Sequence, residues 1–215
     1  AEHAQRAGIL SKADLSSEMV LEFGSMQGIA GRYYAQHDGE PGDVPAAIQE
    51  QYKPLFAGDT LPETATGQAV SLADKLDTLM GIWAAGQQPT GAKDPFALRR
   101  AALGVLRIII EGGLALDLRE LLEQAASAYA DEIGASEKVQ EVYDFAMDRL
   151  RPYFVDQGYT PQQFDAVIAV SPASPLDFSK RISAVKKFSA MKQADSLSAA
   201  NKRIRNILKK VEGEV

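Results

Sequence analysis

With 215 residues, a net charge of −6, 46% hydrophobic and 24% charged residues, the chain has the make-up of a folded protein long enough to bury a sizeable core. It has no cysteine and only two histidines, which excludes disulfides, thiolate zinc sites, cysteine nucleophiles and a histidine-rich metal centre. No apolar run reaches the roughly 18 residues that a membrane span needs, and Ala1 reads as a fragment edge rather than a natural start.

In chain order, residues 4–23 read as helical on the apolar set Ile9, Leu10, Leu15, Met19, Val20 and Phe23. Gly24, Gly28 and Gly31 punctuate the next stretch. Gly28-Ile29-Ala30-Gly31 has the letters of a KH-type GxxG loop, but strand-forming runs around it are lacking, so close helix packing is the preferred use. Residues 37–45 form a loop, a helix follows through Ile48 to Tyr52, and residues 58–67 form another loop. His37-Asp38 matches a metal dyad by letters alone and lies in the first of these loops.

The chain is organised around Val70 to Gly113, two helices joined by a basic loop. Leu72, Leu76, Leu79 and Trp83 line one helical face, while Asp74 and Asp77 project about one turn apart on another. These acids could form a carboxylate pair, though acids three apart on a helix are usually structural. Asp94-Pro95 predicts the start of the second helix, with Asp as cap and Pro at N1. That helix runs through Leu98, Ala102, Val105 and Ile109 and stops at Gly112-Gly113. Arg99 and Arg100 fall in its first turn, where the helix dipole disfavours cations, so an anionic partner is expected there.

Leu114 to Tyr129 reads as one amphipathic helix, and the pattern breaks near residues 133–136. A domain division is placed there, giving 1–134 and 135–215. A helix from Val139 ends near Pro152. Thr160-Pro161-Gln162-Gln163 has the form of a capping box, and Ser174-Pro175 repeats the helix-start logic. Ile182, Val185, Phe188 and Met191 form one stripe; Leu197, Ala200, Ile204, Ile207 and Leu208 form the last. Strand alternation is nowhere sustained, so the chain reads as all-α. The short run Val167 to Val170 is the place where a strand could intrude.

Residues 180–210 carry ten Lys and Arg against one acid, Asp195, so any polyanion contact is concentrated there unless this is simply a solvated helix face. No phosphate-loop, dinucleotide or nucleophile-elbow motif occurs.

The blocks KADLSSEMVLEFGSMQGIAGRYYA (12–35), LADKLDTLMGIW (72–83), PTGAKDPFALRRAALGVLRI (89–108) and ANKRIRNILKK (200–210) run in an order that resembles the beta subunit of bacterial two-subunit glycyl-tRNA synthetases. The resemblance implies an interior to C-terminal piece of that subunit: a degenerate HD-like helical domain, then the start of an anticodon-binding region like that of arginyl-tRNA synthetase, cut short at Val215. Where HD hydrolases carry metal-binding His-Asp, this chain has Ala13-Asp14. Gln51-Tyr52 stands where a histidine pair is frequent, and Asp74 corresponds to the last aspartate. Two carboxylates without imidazoles are poor ligands for a transition-metal pair, so Asp14 and Asp74 read as vestigial and no metal or catalytic residue is assigned.

The function implied is a tRNA-binding, non-catalytic portion of a glycine–tRNA ligase. Its partners would be glycine tRNA and the alpha subunit, in the cytoplasm and without a membrane. ATP and magnesium would serve the whole ligase and no cofactor would sit on this fragment. The tRNA contacts are expected at Lys93, Arg99 and Arg100, and at Lys202, Arg203, Arg205, Lys209 and Lys210. Intramolecular pairing of Arg99 and Arg100 with Asp74, Asp77 or Asp94 is the competing use of those arginines. The alternatives are an HD-type metal-dependent phosphohydrolase and a helical scaffold for another subunit.

Overall fold

The computed structural model describes residues 1–211, apart from the side chains at 195 and 209–211. Its helices are α1 (Glu2–Leu10), α2 (Glu18–Glu22), α3 (Ile29–His37), α4 (Val44–Glu50), α5 (Ala65–Ala84), α6 (Leu98–Glu111), α7 (Leu118–Ala126), α8 (Val139–Asp148), α9 (Leu150–Asp156), α10 (Pro161–Ile168), α11 (Pro175–Ser189) and α12 (Lys192–Val211). Among the described residues there is no strand, only an isolated bridge between Thr90 and Lys93. The chain is all-α: Val167 and Ile168 finish α10, and Ala169 and Val170 form the turn after it rather than a strand.

The sequence pattern is followed most closely in α5. Thr64 caps it by accepting from Gly67 N–H, and Leu72, Leu76, Leu79 and Trp83 are all buried as their spacing requires. α5 packs against α1, α4, α6, α7 and α8. Its first half joins a small core with Ala7, Ala35, Val44, Ala47 and Ile48. Its second half enters the main core, which continues through Leu106, Leu122, Val142 and Phe154 to Phe178 and Ile182. Residues on both sides of position 134 share that main core. At its far end Phe154 lies 5.5 Å from Phe178, and Phe164 lies 5.1 Å from it.

Near the N-terminus the chain departs from its apolar pattern. Residues 4–23 are not one helix: α1 ends at Leu10, a 3-10 turn spans Ala13–Ser16, and Ser17 caps α2 through its side chain. The break turns Asp14 inward, while Ile9, Leu15, Met19 and Phe23, expected on a core stripe, stay exposed. Gly31 serves close packing, as its setting in the sequence predicts. A Cβ there would stand 2.7 Å from Ile48 Cγ2, and no such gap exists between α3 and α4.

Three helix boundaries also differ. α6 begins at Leu98, because Ala97 takes a left-handed conformation (φ 54°) between Asp94 and the helix. Asp94 still caps it from outside, accepting from Leu98 and Arg99 N–H at 2.8 and 3.0 Å. α7 starts at Leu118 rather than Leu114, with Asp117 accepting from Arg119 and Glu120 N–H. Pro152 does not end a helix but sits in the first turn of α9, where its missing N–H has no intrahelical partner to lose. The Thr160 capping box is present in full, and Pro161 and Pro175 open α10 and α11. Ser174 occupies the cap position of α11 without a side-chain bond.

Candidate nucleic-acid interface

Asp14 and Asp74 are each engaged elsewhere. Asp14 is 3% exposed, and its Oδ2 accepts from the backbone N–H of Gly28 (2.6 Å) and Gly31 (3.2 Å), fixing the entry into α3. Asp74 pairs with Lys12 at 2.8 Å, and that ammonium also lies 4.5 Å from the centre of the Tyr52 ring. Asp77 accepts from the Tyr129 hydroxyl at 2.7 Å, so the two α5 carboxylates do not act as a pair. Gln51, fully buried, donates its amide to the carbonyls of Ser11 and Ile48. Beside it Lys75 is buried, donating to Gln51 O (2.9 Å) and Ser71 Oγ (2.8 Å). Burial pulls its ammonium down to about 8; Asp74 opposes this, while Lys12 and Arg100 reinforce it. Among the described residues no group of three or more His, Asp and Glu side chains is placed to hold a metal ion.

Charge of the other kind gathers on the outer face of α6. Arg99, Arg100 and Arg107 from α6 and Arg149 from the α8–α9 junction line a cleft of about 860 Å³. Arg100, Leu103 and Arg107 follow helical spacing, which aligns them along one side of α6. Arg107 is only 9% exposed. Its Nε donates to Glu111 at 2.7 Å and its Nη2 to the Asp59 carbonyl at 3.0 Å, while its buried Nη1 has no hydrogen-bond partner. Arg149 lies 5.5 Å from the Phe145 ring centre, and its buried Nε likewise lacks a partner. Arg99 is tied back: it donates to the Gly91 carbonyl at 2.6 Å and stands 3.9 Å from Asp94. Arg100 has no ion pair among the described residues. Of the two arginines offered for internal pairing, only Arg99 is so used.

Lys93 is exposed in the loop before α6, its backbone bridged to Thr90, and it stands outside the cleft wall. Lys202, Arg203 and Arg205 are exposed on α12, which meets the body chiefly through α11. The expected apolar stripe of that helix is uncovered as well, with Leu197, Ile204, Ile207 and Leu208 more than half exposed. The side chains of Lys209 and Lys210 lie outside what the structure describes. The structure thus brings Arg99 and Arg100 together and keeps Lys93 and α12 apart from them. Arg107 and Arg149 were missed in the sequence. The spacing of Arg100 and Arg107 carried a signal for the first; nothing local carried one for Arg149, which reaches the cleft by tertiary packing.

Comparison with known proteins bears on what this arrangement serves. The family model described as "Glycyl-tRNA synthetase beta subunit" matches residues 1–169. The chain belongs to the glycyl-tRNA synthetase beta subunit family. Within that family it is 55% identical over 212 residues to the "Glycine--tRNA ligase beta subunit" of Ectopseudomonas mendocina, covering 99% of this chain and 31% of that protein. It is 54% identical over 215 residues to the protein of the same description from Pseudomonas aeruginosa, covering 100% of this chain and 31% of that one. The counterpart in Enterobacter sp. is 53% identical over 208 residues, covering 97% and 30%. The chain therefore spans under a third of the length of these family members. No helix of the described residues is long and apolar enough to cross a membrane.

Proposed function

We propose that this chain is a tRNA-binding, non-catalytic part of the beta subunit of a glycine–tRNA ligase, acting in the cytoplasm beside an alpha subunit. Activation of glycine, with its ATP and magnesium, belongs to other parts of the ligase. The division into an HD-like body and the start of an anticodon-binding region, with α12 in the latter, goes with this reading. The observation that carries it is the wall of four arginines at α6 and the α8–α9 junction, offered by a chain whose overall charge is negative. Family membership supplies the setting for that wall. Guanidinium forks suit phosphate because two N–H groups can meet two oxygens at once. Arg100 is free to do so, and Lys202, Arg203 and Arg205 on α12 provide a second exposed row.

The test is binding of glycine tRNA by the ligase, followed as salt is raised. Replacing Lys202 and Arg205 by Ala should leave the fold intact, since exposed charges contribute little to stability. It should flatten the dependence of log K on log salt by about 0.7–0.9 for each phosphate that the variant no longer neutralises. An unchanged affinity and slope in this variant and in Arg100→Ala would remove tRNA binding from this chain.

A second reading, a helical scaffold for another protein chain, is favoured by one observation. Ile9, Leu21, Phe23 and Tyr33 near the N-terminus are each more than half exposed.

A further inference from the structure

The cleft on α6 has features that binding of a phosphate backbone at the surface does not require. It has room for a small ligand, apolar surface between its arginines, and an aromatic ring at its edge: Phe56, 60% exposed in the loop that precedes α5. A duplex backbone meets its protein at the surface and keeps its bases stacked inside, so it does not use the ring. We propose that the cleft is a nucleotide pocket, taking one unstacked nucleotide with its phosphate on Arg100 and Arg149 and its base against Phe56. This rests on the nucleic-acid reading above and specifies the chemistry recognised: a phosphate beside an aromatic base.

The arginines are arranged for that task. Arg107 is nine-tenths buried and held by Glu111 and the Asp59 carbonyl, so it cannot swing away, and its Nη1 still lacks a hydrogen bond. Arg149 Nε is in the same condition. Both nitrogens are donors that no protein acceptor satisfies, on two of the arginines that line the cleft. Of the two carboxylates on the wall, Glu111 already accepts from Arg107 and from the Tyr153 hydroxyl (3.2 Å), which orients that ring; Asp156 is the other. Four guanidinium groups against two carboxylates suit a single phosphate better than a dense polyanion. The volume falls within the range of small-ligand sites, roughly 300–1,000 Å³.

A free mononucleotide and a nucleotide within an RNA strand share this chemistry, and the test separates them. The probes are oligouridylate, the same strand paired with oligoadenylate, and UMP, titrated against the 215-residue chain and its Phe56→Ala and Arg100→Glu variants. Both positions are exposed, so circular dichroism melts should be unchanged. Oligouridylate should bind more tightly than the duplex. Phe56→Ala should weaken it about fivefold or more without altering its salt slope, because removing a stacking ring leaves the number of neutralised phosphates as it was. Arg100→Glu should weaken it and flatten the slope by about 0.7. Displacement of the oligonucleotide by UMP assigns the pocket to mononucleotides; retention of the oligonucleotide against UMP assigns it to a strand. Oligouridylate binding that ignores both substitutions overturns the pocket, and if glycine tRNA still binds, only the pocket falls. Loss of all RNA binding by the unaltered chain overturns both readings. Binding of polyglutamate in place of RNA, abolished by Arg100→Glu, also overturns the pocket and makes the cleft a protein-docking site.

Discussion

A buried lysine is a costly residue, and Lys75 shows how this chain carries one. Its ammonium sits between Gln51 O and Ser71 Oγ, with Asp74 as the neighbouring acid and Lys12 and Arg100 as neighbouring cations. Burial moves its folded pKa from 10.5 to about 8, so the sign of its effect follows directly. Below pH 8 both folded and unfolded chains hold the proton, and the folded chain bears the full desolvation cost. Between pH 8 and 10.5 the unfolded chain keeps a proton that the folded chain has released, so stability rises with pH, by roughly 3 kcal/mol in all. Tyr129 limits the window from above. Burial and Asp77 raise its phenol to about 12, so the stability it contributes below pH 10 is lost between 10 and 12. Urea unfolding at a series of pH values up to about 10 should therefore show a rising limb that Lys75→Met abolishes. A rising limb of equal size in the variant would mean that another group is its source.

At the scale of elements, the start of α6 separates what local sequence dictates from what it leaves open. Asp94 was legible as a cap because its carboxylate has few better uses than the free N–H groups of a helix start. Its offset from Leu98 was not legible, since it depends on a left-handed Ala97, a conformation that alanine rarely takes and that no sequence pattern announces. Asp94→Ala removes two N–H acceptors and the partner of Arg99, and should destabilise the chain by about 0.5–2 kcal/mol in thermal or urea unfolding. Asp94→Asn should recover part of that loss. Periodicity served well wherever both faces of a helix had clear destinations, as in α5, or where a capping box fixed the start, as in α10. It failed at residues 4–23 because Ser17 caps a new helix there and Asp14 is drawn inward to the α3 backbone, competitions that an apolar count does not register. The cleft was half legible for a similar reason. Arg99 and Arg100 announced themselves by sitting in a helix's first turn, whereas Arg149, at the end of α8, joins them only through the packing of α8 beside α6.

Across the whole molecule, α5 is the element on which the others converge, and its last core residue touches a segment far along the chain. Trp83, the only tryptophan, donates its indole N–H to Glu141 Oε2 at 3.1 Å and lies 4.7 Å from the Phe145 ring centre. Both partners belong to α8. Trp83 is 7% exposed, and α8 supplies part of its cover. The chain thus holds one fluorophore at the seam where α8 meets α5. Its emission should be blue-shifted in the folded protein and move to the red when the seam opens, whatever happens to helix content elsewhere. Phe145→Ala should shift the emission towards the red while leaving far-ultraviolet circular dichroism nearly unchanged. If the emission of this variant matches that of the parent, α8 does not shield the ring. Otherwise the single indole reports in real time on the joining of residues 65–84 to residues 139–148, and no label need be attached.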